Sequence, residues 1–302
     1  MDGFKLTVPV AFIMFNRPDT SVQVFKEIQK AKPEKLYLIS DAAREGRPEE
    51  AEKVAECRRV IEEMIDWDCV VNKNYAESNM GCKRRVASGI SWVLEKEEET
   101  IILEDDVVPS EQFFPFIQQM LNEYRDEDKV MMVSGTNLLK NHEIKGDYTF
   151  SYFSVIWGWA TWRRAWSRYY DVEMKDWPEM KNDRALKDVY QNPLSFWLFK
   201  RDAEKIYNGG KDTWDLQWDY CRVKRGALGI VPKENLVNNI GFDREDATHT
   251  TGSSFEDFSY GKIKLPCDPV RPIAEDREYD KAYLKKYLGL RKIINAVKKK
   301  FG

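Results

Sequence analysis

Residues 8–15 of this 302-residue chain read VPVAFIMF, an uninterrupted apolar run of strand length. Runs of this kind are typical of strands that are buried on both faces, as in parallel sheets. Residues 16–20 (NRPDT) interrupt the run, and a helical pattern follows over residues 21–30. The chain therefore begins with a strand, a turn and a helix, which is the repeating unit of an α/β fold.

The same unit recurs along the first half of the chain. Further strands are predicted over Lys35–Ser40, 68–72 and 100–103, and further helices over 49–65, 83–95 and from residue 110 onward. Beyond residue 130 the alternation weakens, and helices over 193–207 and 214–225 are expected to cover the sheet. Ser110 is the expected N-cap of the helix that follows the fourth strand. This alternation predicts a mostly parallel central sheet flanked by helices. We expect residues 1–275 to form that domain and residues 276–302 to form a basic amphipathic tail.

The overall composition is that of a soluble globular protein, with 42% apolar and 33% charged residues. The net charge of −3 argues against a general nucleic-acid binder. Residues 281–302 carry eight Lys or Arg and no acid, so the rest of the chain has a net charge of −11. Such a tail is consistent with peripheral contact to an anionic membrane surface or with a solvated helix.

Five cysteines are scattered without a CxxC pair, which favours reduced thiols over a disulfide framework or a zinc site. The first residues lead directly into the apolar run without a signal-peptide pattern. No apolar stretch reaches the roughly 20 residues that a membrane-spanning helix needs. These observations predict a cytoplasmic protein.

Three predicted strands end in polar residues. Asn16 and Arg17 follow the first strand, Asp41 follows the second, and Glu104, Asp105 and Asp106 follow the fourth. Ligands of open α/β sheets bind outside the carboxyl ends of the strands. The sequence therefore predicts a binding site at this edge of the sheet.

The three consecutive acids are the sharpest chemical feature. Carboxylate oxygens at a strand exit suit a hard cation such as Mn²⁺ or Mg²⁺, which can bridge a diphosphate. Phosphatases and receiver domains also place Asp there, and an acidic loop without a ligand is the alternative. His249 adds a candidate metal ligand, since mixed oxygen and imidazole ligation suits manganese; a surface or capping role is the alternative.

Three further segments have two interpretations each. Residues 214–219 (WDLQWD) place Asp215 and Asp219 four apart, as a general base or as the polar face of a helix. Trp157, Gly158 and Trp159 form part of an aromatic stretch that suits a sugar ring or a core. Residues 83–85 (KRR) begin a helix, where cations are disfavoured unless an anion binds, although a solvated basic face is commoner.

Taken in order, these pieces resemble the GT-A glycosyltransferases, closest to bacterial family-2-like members and distantly to the N-acetylglucosaminyltransferases of the protein-linked glycan pathway. The resemblance spans residues 8–249 and depends on an ordered series of motifs. They are PVAFIMFNRPD, a strand ending in Asp41, NMGCKRR, ILEDDVVPS, VIWGWATWRRAW, TWDLQWDY, GIVPKENLVNNIG and DATHT.

The resemblance implies a nucleotide-diphospho-sugar transferase fold and a role for each matching residue. Base and ribose would contact Phe15, Asn16, Arg17 and Asp41, and the diphosphate or donor sugar would contact Arg84. Ribose and sugar would contact Glu104 and Asp105, while Asp106 would bind Mn²⁺ or Mg²⁺ with His249 as a later contact. Independently of the resemblance, the chemistry of indole rings makes Trp157, Gly158, Trp159 and Trp214 the candidates for binding the acceptor or sugar.

The candidate base departs from the family pattern. The N-acetylglucosaminyltransferases carry Trp-Asp-Asp-Trp with the second Asp as base, and that position is Leu216 here. The base is then Asp215 or Asp219, and Asp215 is favoured because bacterial relatives resemble WDxQW. Attack assisted by a general base favours inversion at the anomeric carbon, and a retaining outcome is the alternative.

The expected function is transfer of a sugar from a nucleotide-diphosphate donor, expected to be a UDP-sugar, to a glycan or lipid-linked acceptor. Two alternatives are a sugar nucleotidyltransferase and a non-catalytic sugar-binding protein. Nucleotidyltransferases usually carry a glycine-rich loop after the first strand, and this chain has Asn16-Arg17-Pro18-Asp19 there. A metal-dependent hydrolase would use the same acids, but the acidic body disfavours a nucleic-acid substrate.

Overall fold

A computed structural model describes residues 3–242 and 259–289 of the chain. Within these residues, a central sheet contains β1 (Val10–Met14), β2 (Lys35–Ser40), β3 (Val70–Tyr75), β4 (Glu99–Glu104), β6 (Val130–Ser134), β7 (Tyr148–Ser151), β8 (Trp159–Trp162) and β9 (Leu228–Pro232). A separate antiparallel pair consists of β5 (Val107–Pro109) and β10 (Val237–Asn239).

The helices flank this sheet. They are α1 (Pro18–Ala31), α2 (Pro48–Glu63), α3 (Gly81–Leu94), α4 (Phe113–Glu123), α5 (Arg163–Tyr169), α6 (Trp177–Met180), α7 (Arg184–Val189), α8 (Pro193–Tyr207), α9 (Asp215–Val223) and α10 (Arg277–Tyr287).

The sheet has the strand order β3-β2-β1-β4-β8-β6-β9-β7. Its first four strands are mutually parallel, and β6 is parallel to β9. The remaining pairings, made by β8 with β4 and β6 and by β7 with β9, are antiparallel. The prediction of an α/β fold with a mostly parallel central sheet is therefore confirmed.

The first strand explains why the sheet is covered on both faces. All five residues of β1 are buried, as its continuous apolar run predicted. Val10, Phe12 and Met14 pack with α1, α2 and α4, while Ala11 and Ile13 pack with α3, α5, α8 and α9. Since successive side chains of a strand point to opposite faces, one apolar run supplies both layers of the core.

Two local predictions differ from the structure. The third strand is Val70–Tyr75 rather than residues 68–72, because it is a half-exposed edge strand whose polar residues still pair with β2. Ser110 does not cap α4, which begins at Phe113 with Gln112 as its N-cap. The Ser110 amide instead donates to the Leu236 carbonyl at 2.8 Å, which holds it beside β10.

The beginning of the predicted tail is a docked helix. In α10, Tyr279 and Leu284 are buried, and the buried Asp280 accepts hydrogen bonds from Ser151 Oγ and from the Tyr152 amide. Residues 290–302 lie outside the described part of the chain. None of the described helices is both long and apolar enough to cross a bilayer.

Candidate functional site

A cleft of about 360 Å³ opens at the carboxyl ends of β1, β2 and β4. It brings together ten residues that the sequence nominated: Phe15, Asn16, Arg17, Asp41, Glu104, Asp105, Asp106, Trp157, Trp214 and Asp215. Strand order reverses between β1 and β4, and this is the position at which open α/β sheets bind ligands. The topology therefore accounts for the location of the cleft.

The three acids form the link between the first and fourth strands. The Asp105 carboxylate accepts a hydrogen bond from the Phe15 amide at 3.1 Å, and Arg17 Nη1 donates to Asp106 Oδ2 at 3.2 Å. Asp105 and Asp106 form the tight turn between β4 and β5, and the Ile240 amide donates to the Asp106 carbonyl at 2.8 Å. The β10 segment thus supports the turn from the other side.

Close backbone approach also fixes Asp106. A Cβ atom at Gly241 would lie 2.2 Å from Asp106 Oδ2, so a side chain at that position would displace the carboxylate. Gly241 is placed by its own amide, which donates to Asn239 Oδ1 at 2.9 Å. Asn239 also lines the cleft, so β10 contributes directly to the site.

Glu104 has a strongly raised pKa, which reflects its burial and the concentration of negative charge in the cleft. Burial and then the negative charges of Asp106, Asp105 and Asp215 raise its pKa well above the usual value, and Arg17 only partly opposes them. Four carboxylates from two separate chain segments therefore interact at one place. Such an accumulation of like charge is relieved by a cation or by protonation.

The donor chemistry of this cluster fits Mg²⁺ or Mn²⁺, which prefer oxygen ligands. Among the described residues, however, no three His, Cys, Asp or Glu side chains are grouped closely enough to enclose a cation by themselves. Magnesium sites of nucleotide enzymes are commonly completed by substrate phosphates and water around one or two carboxylates. Asp105 and Asp106 are compatible with a site of that kind. His249, the second predicted ligand, lies outside the described residues.

Asp41 acts as a backbone clamp in this structure. Its carboxylate accepts hydrogen bonds from the amides of Ala42, Met80 and Gly81 at 2.9 to 3.1 Å and from Asn79 Nδ2 at 3.2 Å. These bonds join the end of β2 to the start of α3. The predicted contact of Asp41 with base and ribose stays a prediction. A bound nucleotide would have to share the Asp41 carboxylate with these N–H donors.

The first turn of α3 is capped by a carboxylate from elsewhere in the chain. Asp212 accepts hydrogen bonds from the Cys82 and Lys83 amides at 2.9 and 2.8 Å, and Lys83 Nζ pairs with Glu173 at 2.7 Å. Carboxylates satisfy the otherwise unpaired N–H groups of a first helical turn. This capping accounts for the tolerance of cations at the helix start without a bound ligand.

Arg84 is the predicted phosphate contact that the fold does not bring to the cleft. It is exposed on the outer face of α3, whereas its neighbour Arg85 is buried and lines the cleft. Arg85 Nη2 donates to the Asn74 carbonyl at 2.5 Å, and Arg85 Nε is buried without a partner in the described structure. One residue corresponds to about 100° of rotation on a helix, which is enough to exchange their roles.

The two candidate bases have different surroundings. Asp215 lies in the first turn of α9, lines the cleft and accepts a hydrogen bond from Thr213 Oγ1. Asp219 lies one helical turn further on, outside the residues that line the cleft, and pairs with Arg222 at 2.5 Å. Of the two predicted bases, only Asp215 is placed where a substrate in the cleft could meet it.

The tryptophans divide between core and cleft. Trp157 and Trp214 line the cleft, but Trp159 is fully buried and stacks on Trp214 with ring centroids 5.7 Å apart. Gly158 has a φ of +59°, and a Cβ there would lie 2.8 Å from Val237. Its close approach is therefore to core side chains, and neither Gly158 nor Trp159 presents a surface to a sugar.

Sequence reasoning nominated none of six polar residues that line the cleft: Arg44, Asn79, Arg85, Asp212, Thr213 and Asn239. Asp212 and Thr213 immediately precede the nominated Trp214 and could have been included by proximity. Arg44 lies six residues before Glu50, which is the third residue of α2, a position where an acid commonly bonds to groups before the helix. That spacing was the available signal for Arg44.

Comparison with known proteins returns structural similarity that is distant in the cases described here. No protein-family model matches the chain, and no curated protein matches it. Solved structures with partial similarity include 4-diphosphocytidyl-2C-methyl-D-erythritol synthase from Anaerococcus prevotii, which has a TM-score of 0.31 and 10% identity over 52% of this chain and 72% of that one.

Two structures of UDP-glucose pyrophosphorylase give similar values. The apo structure has a TM-score of 0.35 and 9% identity over 74% of this chain and 90% of that one. The complex with UDP-glucose has a TM-score of 0.26 and 10% identity over 48% and 63%, respectively. Scores of this size do not define a function, which has to be argued from the cleft itself.

Proposed function

We propose that the chain is a metal-dependent glycosyltransferase of the GT-A type that moves a sugar from a nucleotide-diphosphate donor to an acceptor hydroxyl. The observation that carries this proposal is the convergence of Glu104, Asp105, Asp106 and Asp215 in one cleft at the strand-order reversal. The expected donor is a UDP-sugar, and the expected acceptor is a glycan or a lipid-linked saccharide. A basic segment at residues 290–302 is consistent with an acceptor at a membrane surface.

Asp105 and Asp106 would hold the cation, which would supply positive charge to the leaving diphosphate. Arg17 would hold the turn of the acids in place through its bond to Asp106. Arg85 adds a second guanidinium to the wall of the cleft, where a diphosphate oxygen would find a charge-assisted donor. Glu104 is suited to accept hydrogen bonds from donor hydroxyls.

Asp215 would take the proton of the acceptor hydroxyl. Thr213 Oγ1 donates to its Oδ1, which leaves Oδ2 available to take the proton of an acceptor. Direct displacement at the anomeric carbon with such a base inverts the configuration. The products would be a glycosylated acceptor and a nucleoside diphosphate, with the proton passing to Asp215.

A thermal-shift screen of UDP-, GDP- and CDP-sugars, each with and without Mn²⁺, tests the proposal. A ligand that binds only the native state at 100 times its Kd stabilises it by about 2.7 kcal/mol, so one nucleotide sugar should raise the Tm by several degrees. The shift should require Mn²⁺ or Mg²⁺ and should be lost in Asp106→Asn.

Product analysis then separates the alternatives. Release of UDP from a UDP-sugar identifies transfer or hydrolysis, whereas consumption of UTP with release of pyrophosphate identifies a nucleotidyltransferase. Binding without turnover identifies a sugar-binding protein. A chain that responds to no nucleotide sugar with either metal would contradict the proposed function.

A further inference from the structure

One end of the cleft contains an arginine that the reaction described above does not use. Arg44 lies in the loop between β2 and α2 and lines the cleft with Phe15 and Asn16. Its side chain is 43% exposed, and its guanidinium carbon lies over the Phe15 ring at 6.0 Å from the centroid. Arg44 is therefore accessible to a ligand beside an aromatic ring.

A buried carboxylate fixes this guanidinium. Glu50, whose side chain is only 8% exposed, accepts hydrogen bonds from Arg44 Nε and Nη2 and from the Arg44 amide at 2.8 Å. These bonds lower the pKa of Glu50 to about 2, with the Arg44 side chain as the largest cause. A bidentate pair of this kind holds the planar group in one orientation.

The same carboxylate also holds the opposite wall. Glu50 Oε1 accepts a hydrogen bond from Asn16 Nδ2 at 3.1 Å, and Asn16 directly follows Phe15. One buried acid thus joins the loop after β1 to the loop after β2. The two flat surfaces, the Phe15 ring and the Arg44 guanidinium, are positioned relative to each other before any ligand enters.

The separation of these two surfaces is informative. A direct cation–π contact places the cation within about 6 Å of the ring centroid, so 6.0 Å is at its outer limit. A planar heterocycle stacked on both surfaces needs about 7 Å between them, twice the contact distance of about 3.5 Å. A shift of about 1 Å beyond the observed 6.0 Å would admit one aromatic ring between the two surfaces.

We propose that Arg44, oriented by Glu50, stacks on the nucleobase of the donor and is the residue that selects a nucleotide over a bare diphosphate. This inference rests on the proposed function and adds to it a recognition element outside the acidic cluster. Glu50 acts as a positioning residue, since its carboxylate contacts Arg44 and Asn16 and does not line the cleft.

Equilibrium binding of two probes to full-length protein tests the inference: UDP, which carries a base, and inorganic pyrophosphate, which does not, both with Mn²⁺. Arg44→Ala should lower the affinity for UDP by at least about fivefold, the lower limit expected for losing one stacking partner. The affinity for pyrophosphate should be unchanged. Glu50→Gln should also weaken UDP, although its side chain lies outside the cleft.

Arg47→Ala is the matched control, since Arg47 is exposed in the same loop and its replacement removes the same charge. It should leave the affinity for both probes unchanged. Equal weakening of both probes in Arg44→Ala would show a phosphate contact, and unchanged UDP binding would show no contact; either result overturns the inference. Circular dichroism melting of each variant confirms that the fold is retained.

Failure of this inference is distinguishable from failure of the proposed function. If wild-type protein binds UDP and pyrophosphate but Arg44→Ala changes neither, the transferase proposal survives and only the stacking role is wrong. If wild-type protein binds neither probe, the proposed function itself is contradicted.

Discussion

At the scale of single residues, the proposed function depends on how Asp215 is held. The Thr213 hydroxyl donates to its carboxylate, and Thr213 is itself buried beside Trp214. Asp212 anchors the same segment to the first turn of α3. Asp212 is therefore tied to another element, and Thr213 ties the same segment to the candidate base itself.

Asp215→Asn should lower turnover on the order of 10²–10⁴-fold, because an amide cannot accept the hydroxyl proton. The Kd for UDP with Mn²⁺ should remain close to that of wild type. Initial rates of UDP release with the active donor, together with calorimetric binding, provide both quantities. Near-normal turnover in this variant would exclude Asp215 as the base.

Thr213→Val should lower kcat by about tenfold while leaving KM for the donor nearly unchanged. The loss corresponds to one hydrogen bond to a charged group, about 1.5 kcal/mol, made by a residue that orients Asp215. Thr213→Ser retains the hydroxyl and should restore most of the rate. A serine variant as slow as the valine variant would indicate a packing role for the threonine methyl group instead.

At the scale of elements, α10 shows how part of a charged tail becomes structural. Its buried Asp280 accepts hydrogen bonds from Ser151 Oγ and the Tyr152 amide of the β7 region, with Glu275 and Asp276 nearby. Burial raises the pKa of Asp280 to about 7, and the neighbouring acids add to the effect. We therefore expect the docking of this helix to depend on pH.

Whether stability rises or falls with pH depends on the protonation of Asp280 in the folded and unfolded chains. Below about pH 4 the Asp280 carboxyl is protonated in both states, since an unfolded Asp has a pKa of about 3.9. Between about pH 4 and pH 7 the unfolded chain loses this proton while the folded chain keeps it. Stability contributed by the protonated carboxyl is thus present below pH 4 and is lost as the pH rises through 7.

Asp280→Asn stays neutral and should escape this loss. The difference in Tm between the variant and wild type should increase from pH 4 to pH 7 and then level off, as measured by differential scanning calorimetry. Asp268→Asn, at a side chain that is 83% exposed, should give a difference that does not follow this course. A constant difference for Asp280→Asn would contradict a raised pKa.

At the scale of the whole molecule, the chain combines an acidic body with a basic C-terminal segment, and that segment could contact a membrane. The apolar residues Tyr283 and Leu284 of the predicted amphipathic tail pack against the core, so that part of the tail has no apolar face to offer a bilayer. The basic residues beyond α10 are Arg291, Lys292, Lys298, Lys299 and Lys300, with no acid among residues 290–302.

Removal of residues 290–302 should therefore weaken sedimentation with anionic vesicles and keep α10 in place. Each basic residue near such a surface contributes about 1 kcal/mol, so five of them contribute about 5 kcal/mol of weak, salt-sensitive attraction. Vesicles of phosphatidylserine and phosphatidylcholine should bind the full-length chain, and pure phosphatidylcholine should not. Equal binding of full-length and truncated protein would show that the tail is a solvated segment.

The sequence located the buried strands well, but it did not show which individual side chains face the cleft. The apolar runs at β1, β2 and β4 located buried strands, and the polar residues after them located the cleft, because parallel strands end at a common edge. For Arg84 and Arg85 the pattern did not distinguish which faces the cleft, since that depends on the rotation of α3 against the sheet.

Local sequence determined the elements and the edge at which they would meet, since periodicity and turn chemistry act within a few residues. Only the tertiary structure decided how individual groups are used. Asp41 is occupied by the amides of residues 80 and 81, Trp159 belongs to the core, and Glu50 joins two separate loops. These outcomes depend on partners that are distant in sequence, whose positions no local pattern specifies.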